Sequence, residues 1–394
     1  MTIFFGIIAV VAIGGLIFLQ TDVFGQSPSE KRMERINKSP HFRDGKFNNE
    51  HFTPDLAEGV SYWDILKSYR KKVENKEPDF VLPSIKTDLK ALAVVAGDLK
   101  SPAQESGILN PQQQSEKPKL VWFGHSSYLL FINGKTILVD PVFCGHASPV
   151  SFMIKNFEGS NVYSVDDMPE IDVLIISHDH YDHLDYKTVK ALKPKVKHVL
   201  TSLGTGEHLE KWGYNPSIIN ELDWSESITI DSVLHFTSTP ARHFSGRGLK
   251  RNQAFWSSFV LKTPTHSIFI GGDSGYDTHF KTIGEKYGPF DLAILECGQY
   301  NYFWKYIHTM PEETALAATE LKAKLLLPVH WGKFRLALHP WTEPIERVTK
   351  EAQRLNQPIA TPMIGEVLEI SPLTSPLTAT AARPRGGTKK WWRF

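Results

Sequence analysis

Residues 171–185 read IDVLIISHDHYDHLD, and this stretch decides how the rest of the chain is interpreted. A mainly apolar run, typical of a buried strand, is followed at once by His178, His180, Asp182 and His183. A side chain at the carboxyl end of a rigid strand is already oriented for binding. Residues two apart in an extended chain point to the same side, so His178 and His180 can bind one metal ion. Asp182 and His183, beyond a turn, can then face a second ion.

The composition of this cluster favours a metal site over a purely structural role. Six of the eight residues 178–185 are histidine or aspartate. Crowding so many of these groups together without a cation would be costly, because each must be desolvated and several repel one another. Imidazole and carboxylate ligands together suit zinc, with iron and manganese as alternatives that the residues alone do not exclude.

Three later residues follow apolar runs in the same manner. His243 comes after VLHFTSTPAR, Asp273 after HSIFIGG and His330 after KLLLPV. We expect them to join the first cluster in a site for two metal ions. An aspartate that bridges two cations neutralises charge on both and fixes their separation.

The remaining chain shows short apolar runs alternating with amphipathic segments such as PIERVTKEAQRL. This alternation predicts an α/β domain whose sheets are covered by helices on their outer faces. We assign the domains as follows: 1–24 membrane anchor or signal, 25–117 N-terminal extension, 118–372 catalytic domain, 373–394 disordered basic tail.

The overall composition excludes several classes of protein. Of 394 residues, 41% are hydrophobic and 22% charged, which excludes a wholly disordered or fibrous chain. A net charge of +1 gives no reason to expect a nucleic-acid partner, and we expect none. With only Cys144 and Cys297, the chain has neither a disulfide framework nor an all-cysteine zinc site. Nothing in the sequence indicates an oligomeric state.

The N-terminal segment predicts contact with a membrane. Residues 3–19, IFFGIIAVVAIGGLIFL, are uncharged and apolar, and the basic segment SEKRMERINKS follows. We expect a single N-terminal membrane pass with the catalytic domain in the cytoplasm, because basic flanks stay on that side. The alternative is a signal peptide cleaved after Gly25. The terminal KKWWRF offers a second, weaker membrane contact or a free solvated tail.

The H-x-H-x-D-H signature with its later His, Asp and His resembles the metallo-β-lactamase fold superfamily. The resemblance implies a four-layered αββα sandwich with metal at the sheet edge. The longer strings WFGHSSYLLFINGK, LVDPVFCGHASP, GGDSGY, YGPFDLAIL and HWGKFRLALH are similar to the N-acyl phosphatidylethanolamine-hydrolysing phospholipase D branch. The L-ascorbate 6-phosphate lactonases are more distant relatives of that branch.

This resemblance implies two zinc ions per chain and a role for each ligand. The implied ligands are His178, His180 and His243 for the first zinc, Asp182, His183 and His330 for the second, and Asp273 as the bridge. Asp182, Asp273 and His308 are the implied catalytic residues, although His308 is equally compatible with an ordinary surface histidine at a helix start.

Three further residues are candidates for holding the ligands in place: His125, Asp140 and Asp185. A carboxylate can accept the free ring N–H of a ligand histidine and so fix its tautomer. For Asp140, a turn residue before proline is an equally good interpretation.

The sequence thus predicts a zinc-dependent hydrolase in which metal-bound hydroxide attacks a phosphodiester, with a phospholipid as the substrate. One alternative is a lactonase or hydrolase of a small phosphorylated metabolite. Another is a catalytically silent, membrane-tethered binding protein, which the complete ligand set argues against. Two stretches depart from the phospholipase branch: VSFMIKNFEGSNVYSVDDMP lacks a basic, proline-rich loop, and ECGQYN replaces a more apolar pattern.

Overall fold

The computed structural model describes residues 2–97, 117–370 and 390–393. Its N-terminal region contains four helices and a short hairpin. These are α1 (Thr2–Leu19), α2 (Glu30–Ile36), β1 (Phe42–Arg43), β2 (Lys46–Phe47), α3 (Tyr62–Tyr69) and α4 (Leu89–Gly97).

Two sheets form the catalytic domain. The first contains β3 (Lys119–Trp122), β4 (Tyr128–Ile132), β5 (Lys135–Val139), β6 (Ile171–Ile176), β7 (Val196–Ser202) and β8 (Ile219–Leu222). The second contains β9 (Ser227–Ile230), β10 (Leu234–Thr239), β11 (Ser258–Lys262), β12 (Ser267–Ile270), β13 (Leu292–Glu296) and β14 (Leu326–Val329). A last strand, β15 (Val367–Glu369), pairs antiparallel with β3 and gives the first sheet the order β15-β3-β4-β5-β6-β7-β8. The second sheet has the order β14-β13-β12-β11-β10-β9.

Five helices accompany these strands. They are α5 (Tyr186–Leu192), α6 (Gly206–Lys211), α7 (His279–Lys286), α8 (Pro311–Glu320) and α9 (Glu343–Arg354). In the first sheet, neighbouring residues of β6 separate to opposite faces, as expected of a strand with a period of two. Val173 and Ile175 join the core between the sheets, whereas Leu174 joins the core beneath α5. The expected α/β architecture of two sheets is therefore confirmed.

The expected membrane anchor is wrong. Among the described residues, no helix combines the length and apolarity that crossing a membrane requires. Helix α1 ends at Leu19, and its 18 residues span only about 27 Å at ~1.5 Å each, against a bilayer core of about 30 Å. The predicted anchor covered residues 1–24, but Asp22–Phe24 form a separate 3-10 turn. The single N-terminal pass, and the cytoplasmic placement deduced from it, are therefore not supported.

The segment after α1 instead docks on the catalytic domain. The indole of Trp212 donates a hydrogen bond to the carbonyl of Asp22 (2.9 Å), and Arg247 donates two to the carbonyl of Val23. Further along, the guanidinium of Arg32 on α2 contacts three glutamates of the catalytic domain, namely Glu207, Glu210 and Glu221.

The C-terminal tail falls mostly outside the described residues. Of the segment expected to be disordered, residues 373–389 and 394 are not among them. Residues 390–393 are described, and the side chains of Trp391 and Trp392 are 4% and 3% exposed in the main hydrophobic core. Their indole rings therefore face the interior of the protein rather than solvent or a membrane.

Candidate metal centre

The side chains singled out in the sequence meet at one edge of the two sheets. Strand β6 ends just before His178, β12 ends three residues before Asp273, and β14 ends at the residue before His330. His243 lies in the loop after β10. All four side chains are buried. The strand-then-ligand pattern thus brings residues from both sheets to a shared site.

His178, His180 and His243 form what we call the three-histidine set. His178 Nε2 lies 2.9 Å from His180 Nδ1, which in turn lies 3.2 Å from His243 Nε2. His243 Nδ1 donates to the carbonyl of Ile307 (2.7 Å), so its Nε2 carries the lone pair. Each neutral imidazole carries one ring proton, so the converging nitrogens cannot all be paired by hydrogen bonds to one another. They are instead a suitable set of ligands for one transition-metal ion.

Asp182, His183 and His330 form the second group, the mixed set, and His125 lies close enough to join it. Asp182 Oδ2 is 3.6 Å from His183 Nε2 and 3.9 Å from His330 Nε2. His125 Nε2 lies 2.9 Å from the same carboxylate oxygen. The imidazole of His125, a candidate for holding ligands in place, therefore contacts a predicted ligand directly.

Asp273 lies between the two sets. Its carboxylate is 3.2 Å from His183 Nε2, 3.2 Å from His330 Nδ1 and 3.8 Å from His243 Nε2. Asp273 Oδ1 and His183 Nε2 are both buried and make no hydrogen bond within the described part of the chain. Such atoms are normally partnered when buried, so a bridging cation fits this position well.

Asp140 orients the rings of two predicted ligands. Its Oδ2 accepts a hydrogen bond from His183 Nδ1 (2.8 Å) and another from the Ser177 hydroxyl (2.6 Å), which lies 3.0 Å from His178 Nδ1. Both histidines are thereby left with Nε2 facing the site. Asp185 has a different role. Its side chain caps the start of α5 by accepting a hydrogen bond from the backbone N–H of Lys187.

Glu296 is a site residue that the sequence reasoning missed. It is buried at the end of β13, and its Oε2 lies 2.6 Å from His308 Nδ1. His308 Nδ1 is in turn 3.9 Å from Asp273 Oδ2, which places His308 beside the cluster. The signal was present, because DLAILE is an apolar run ending in a potential ligand, like the runs before His178 and His330.

The backbone is constrained where the loops of the mixed set meet. His125, Asp140 and His330 have positive φ angles of 54°, 42° and 68°, which residues other than glycine rarely adopt. His330 N donates to the carbonyl of His125 (2.9 Å), and His125 N donates to that of Trp331 (2.8 Å). Unfavourable backbone conformations persist only where the surroundings hold them, and they cluster at functional sites.

Burial sets the protonation state of four of the clustered histidines. It lowers the pKa values of His178, His243 and His330 well below the ordinary range and that of His180 to about 4, so these rings are neutral and carry lone pairs near pH 7. Burial, the largest cause, likewise raises the pKa of Asp273 to about 6. A neighbouring cation would strongly stabilise the charged form of a carboxylate whose pKa burial has raised in this way.

Comparison with known proteins identifies the family. A family model described as the beta-lactamase superfamily domain matches residues 135–331. The chain belongs to the metallo-β-lactamase superfamily. Within that superfamily it lies in the branch of the N-acyl-phosphatidylethanolamine-hydrolyzing phospholipases D.

Three relatives illustrate the extent of this likeness. Uncharacterized protein Rv0906 of Mycobacterium tuberculosis is 36% identical over 366 residues, covering 91% of this chain and 88% of that protein. N-acyl-phosphatidylethanolamine-hydrolyzing phospholipase D 1 of Caenorhabditis elegans is 31% identical over 272 residues, covering 64% of this chain and 75% of its own. The crystal structure of a possible metal-dependent hydrolase from Veillonella parvula superposes with a TM-score of 0.52 at 15% identity, over 64% of this chain and all of that one, and so shows the fold.

This superfamily member is therefore a metal-dependent hydrolase with a buried histidine and aspartate cluster that can hold metal.

Proposed function

We propose that the protein is a dinuclear zinc hydrolase that cleaves a phosphodiester, with an N-acyl phosphatidylethanolamine-like phospholipid as its substrate. The observation that carries this proposal is the pair of ligand sets on either side of Asp273. The three-histidine set would hold one ion, the mixed set the other, and Asp273 would bridge them.

Bound zinc would supply an activated water molecule and stabilise negative charge on the phosphoryl oxygens. The residues of the chain prepare the site for this chemistry. Asp140 fixes the tautomer of His183, and the carbonyl of Ile307 fixes that of His243. His125 holds the carboxylate of Asp182. Their preorganisation lowers the cost of assembling the site.

His308 is the residue that we assign to the substrate phosphate. Its side chain keeps 13% of its surface exposed, whereas those of His183, His243 and His330 are at most 1% exposed. Because Nδ1 is engaged by Glu296, Nε2 is the nitrogen left for a phosphoryl oxygen. In the reaction, the oxygen of water bonds to phosphorus, the bond from phosphorus to the alcohol oxygen breaks, and the alcohol leaves with a proton.

The phospholipid assignment is supported by the Caenorhabditis elegans relative, whose name states that activity. Turnover of N-acyl phosphatidylethanolamine should release an alcohol product and a phosphate-containing lipid. In isotopically labelled water the label should appear in the phosphate-containing product. Label confined to the alcohol product would refute attack at phosphorus, and lactone turnover without phosphodiester turnover would refute the substrate class.

Zinc binding is tested separately by metal analysis. The purified protein should contain two zinc ions per chain. His243→Ala should lose an ion, since it removes a ligand of the three-histidine set. His235→Ala is the matched control, because His235 is an exposed histidine on β10, and it should retain both ions. An active preparation free of metal would refute the proposal.

A further inference from the structure

The last described residues, 390–393, return to the body of the protein and are called the C-terminal clamp below. Nineteen residues separate Ile370 from Lys390 in the sequence. The indole of Trp391 stacks on Trp331 with ring centres 5.2 Å apart and an angle of 25°. The indole of Trp392 meets Trp331 edge-on at 5.6 Å. The clamp is thus anchored on one central tryptophan.

The rings beneath the clamp belong to the metal-binding loops. Trp331 directly follows the predicted ligand His330 and stacks on Trp122 at 5.4 Å. The indole of Trp122 donates a hydrogen bond to the carbonyl of His125 (2.8 Å), and the carbonyl of Trp331 accepts one from the backbone N–H of His125. The indoles of Trp122 and Trp331 therefore contact both the loop of His125 and the loop of His330, so displacing either indole should affect both loops.

Gly332 shows how closely these rings approach. Its φ is +74°, and a Cβ added there would lie 3.1 Å from Trp122 Cη2 and 3.8 Å from Trp391 Cη2. A side chain at this position would be strained by its backbone and would press against the ring of Trp122. The lack of a side chain at Gly332 therefore allows the indoles of Trp122, Trp331 and Trp391 to pack closely together.

Polar contacts hold the clamp at its outer side. Glu346 on α9 accepts hydrogen bonds from Lys390 Nζ (2.8 Å), from Arg393 Nε (2.6 Å) and from the indole of Trp392. The indole nitrogen of Trp391 is buried with no hydrogen-bond partner among the described residues. Among the described residues, the side chain of Trp391 is therefore held by apolar and ring packing, whereas that of Trp392 is fixed by edge-on ring contacts and by Glu346.

We propose that the C-terminal clamp is a separable positioning segment that braces the loops carrying His125 and His330 and so sets the metal affinity of the mixed set. The groove formed by Trp122, Trp331 and Glu346 is its docking site. The effect on metal rests on the proposed function, whereas docking of the segment does not.

The first experiment measures zinc binding to full-length Trp391→Ala/Trp392→Ala. In competition with a chelator, affinity for one of two ions should fall at least tenfold, as when the outer contacts of metal ligands are removed, while the other ion stays bound. The matched control is Trp224→Ala. Trp224 is 5% exposed in a separate cluster with His41 and Phe255, so its loss should lower thermal stability but leave both zinc affinities unchanged.

The second experiment supplies the segment in trans. A synthetic KKWWRF peptide, residues 389–394, should bind the double variant in calorimetry and restore the weakened zinc affinity, whereas KKAARF should do neither. Adding Glu346→Gln to the variant should weaken peptide binding, because three donors lose a charged acceptor.

The outcomes separate the inference from the proposed function. Unchanged zinc affinities in the double variant, or equal losses in the double variant and in Trp224→Ala, would overturn the bracing role. Absence of peptide binding would overturn the docking groove. If the wild-type protein binds no zinc at all, the proposed function fails and the bracing of metal ligands fails with it, while calorimetry still decides whether the segment docks.

Discussion

Replacing Asp140 by asparagine tests whether the outer hydrogen bonds of the metal centre fix its ligands. Asp140 is 1% exposed, and its two oxygens accept from three donors: His183 Nδ1 at 2.8 Å, the Ser177 hydroxyl at 2.6 Å and Ser177 N at 2.8 Å. An asparagine amide keeps only one accepting oxygen. Its NH₂ must face either Ser177 N–H or His183 Nδ1–H, so at least one buried donor loses its acceptor.

The size of the effect follows from that loss. An unsatisfied buried donor costs about 1–3 kcal/mol of folding stability. Removing the carboxylate that orients a metal-ligating histidine weakens metal binding about 10–100-fold, or about 1.4–2.7 kcal/mol. Because the Ser177 hydroxyl also contacts His178 Nδ1, the three-histidine set should be affected as well as the mixed set. Asp140→Asn should therefore weaken the binding of both proposed zinc ions.

The matched control is Asp172→Asn at the opposite end of β6. Asp172 is 2% exposed and accepts from Thr136 N (2.9 Å) and Lys197 Nζ (2.8 Å), so it is buried and partnered like Asp140 but far along the strand from the ligands. Chelator competition measures zinc affinity, and urea unfolding of the metal-stripped proteins measures stability. Asp172→Asn should lose stability alone. Wild-type zinc affinity in Asp140→Asn, or an equal loss in both variants, would refute the reasoning.

Three other substitutions have definite expected outcomes. Burial lowers the pKa of Lys333 to about 7 against about 10.5 when unfolded, so between these pH values the unfolded state binds more protons and stability rises with pH, by about 5 kcal/mol at about 1.4 kcal/mol per pKa unit. Lys333→Met should remove this rise in urea unfolding series, and identical slopes would contradict it. Arg32→Ala leaves glutamates without their cation and should cost about 3–5 kcal/mol, with faster proteolysis of the N-terminal region; unchanged cleavage would argue against docking. Asp273→Ala should lose both zinc ions, whereas Asp55→Ala, at an exposed carboxylate, should keep them.

The metal-binding edge was accessible from the sequence because its signals are local. Each of His178, Asp273 and His330 closely follows an apolar strand, and strands that end at one sheet edge deliver such residues together. Glu296 follows the same pattern but was missed, because a single acidic residue before a cysteine carries little information by itself. Its role becomes visible only when a loop brings His308 to within 2.6 Å of it.

The N-terminal anchor was wrongly predicted for a physical reason. Hydropathy predicts a membrane anchor at residues 3–19, but it does not encode where the helix stops. The helix ends at Leu19, and the turn that follows it is held by Trp212 and Arg247, which are far away in sequence. The Pro- and Thr-rich composition of the tail predicts disorder, but composition alone does not reveal that Trp391, one of the described residues 390–393, packs against Trp122 and Trp331.

The same division separates the candidate metal centre from the cavity beside its loop. Most of the candidate metal ligands lie at or just beyond strand ends, where a local sequence pattern places them. A cavity of about 550 Å³ lies beside the loop that carries His180 and Asp182. It is lined by Val23 from the N-terminal segment, by Phe152 from the loop after β5 and by Tyr181. Because that wall is assembled from segments far apart in the chain, no local sequence pattern predicts its shape, and it depends on the N-terminal segment being docked.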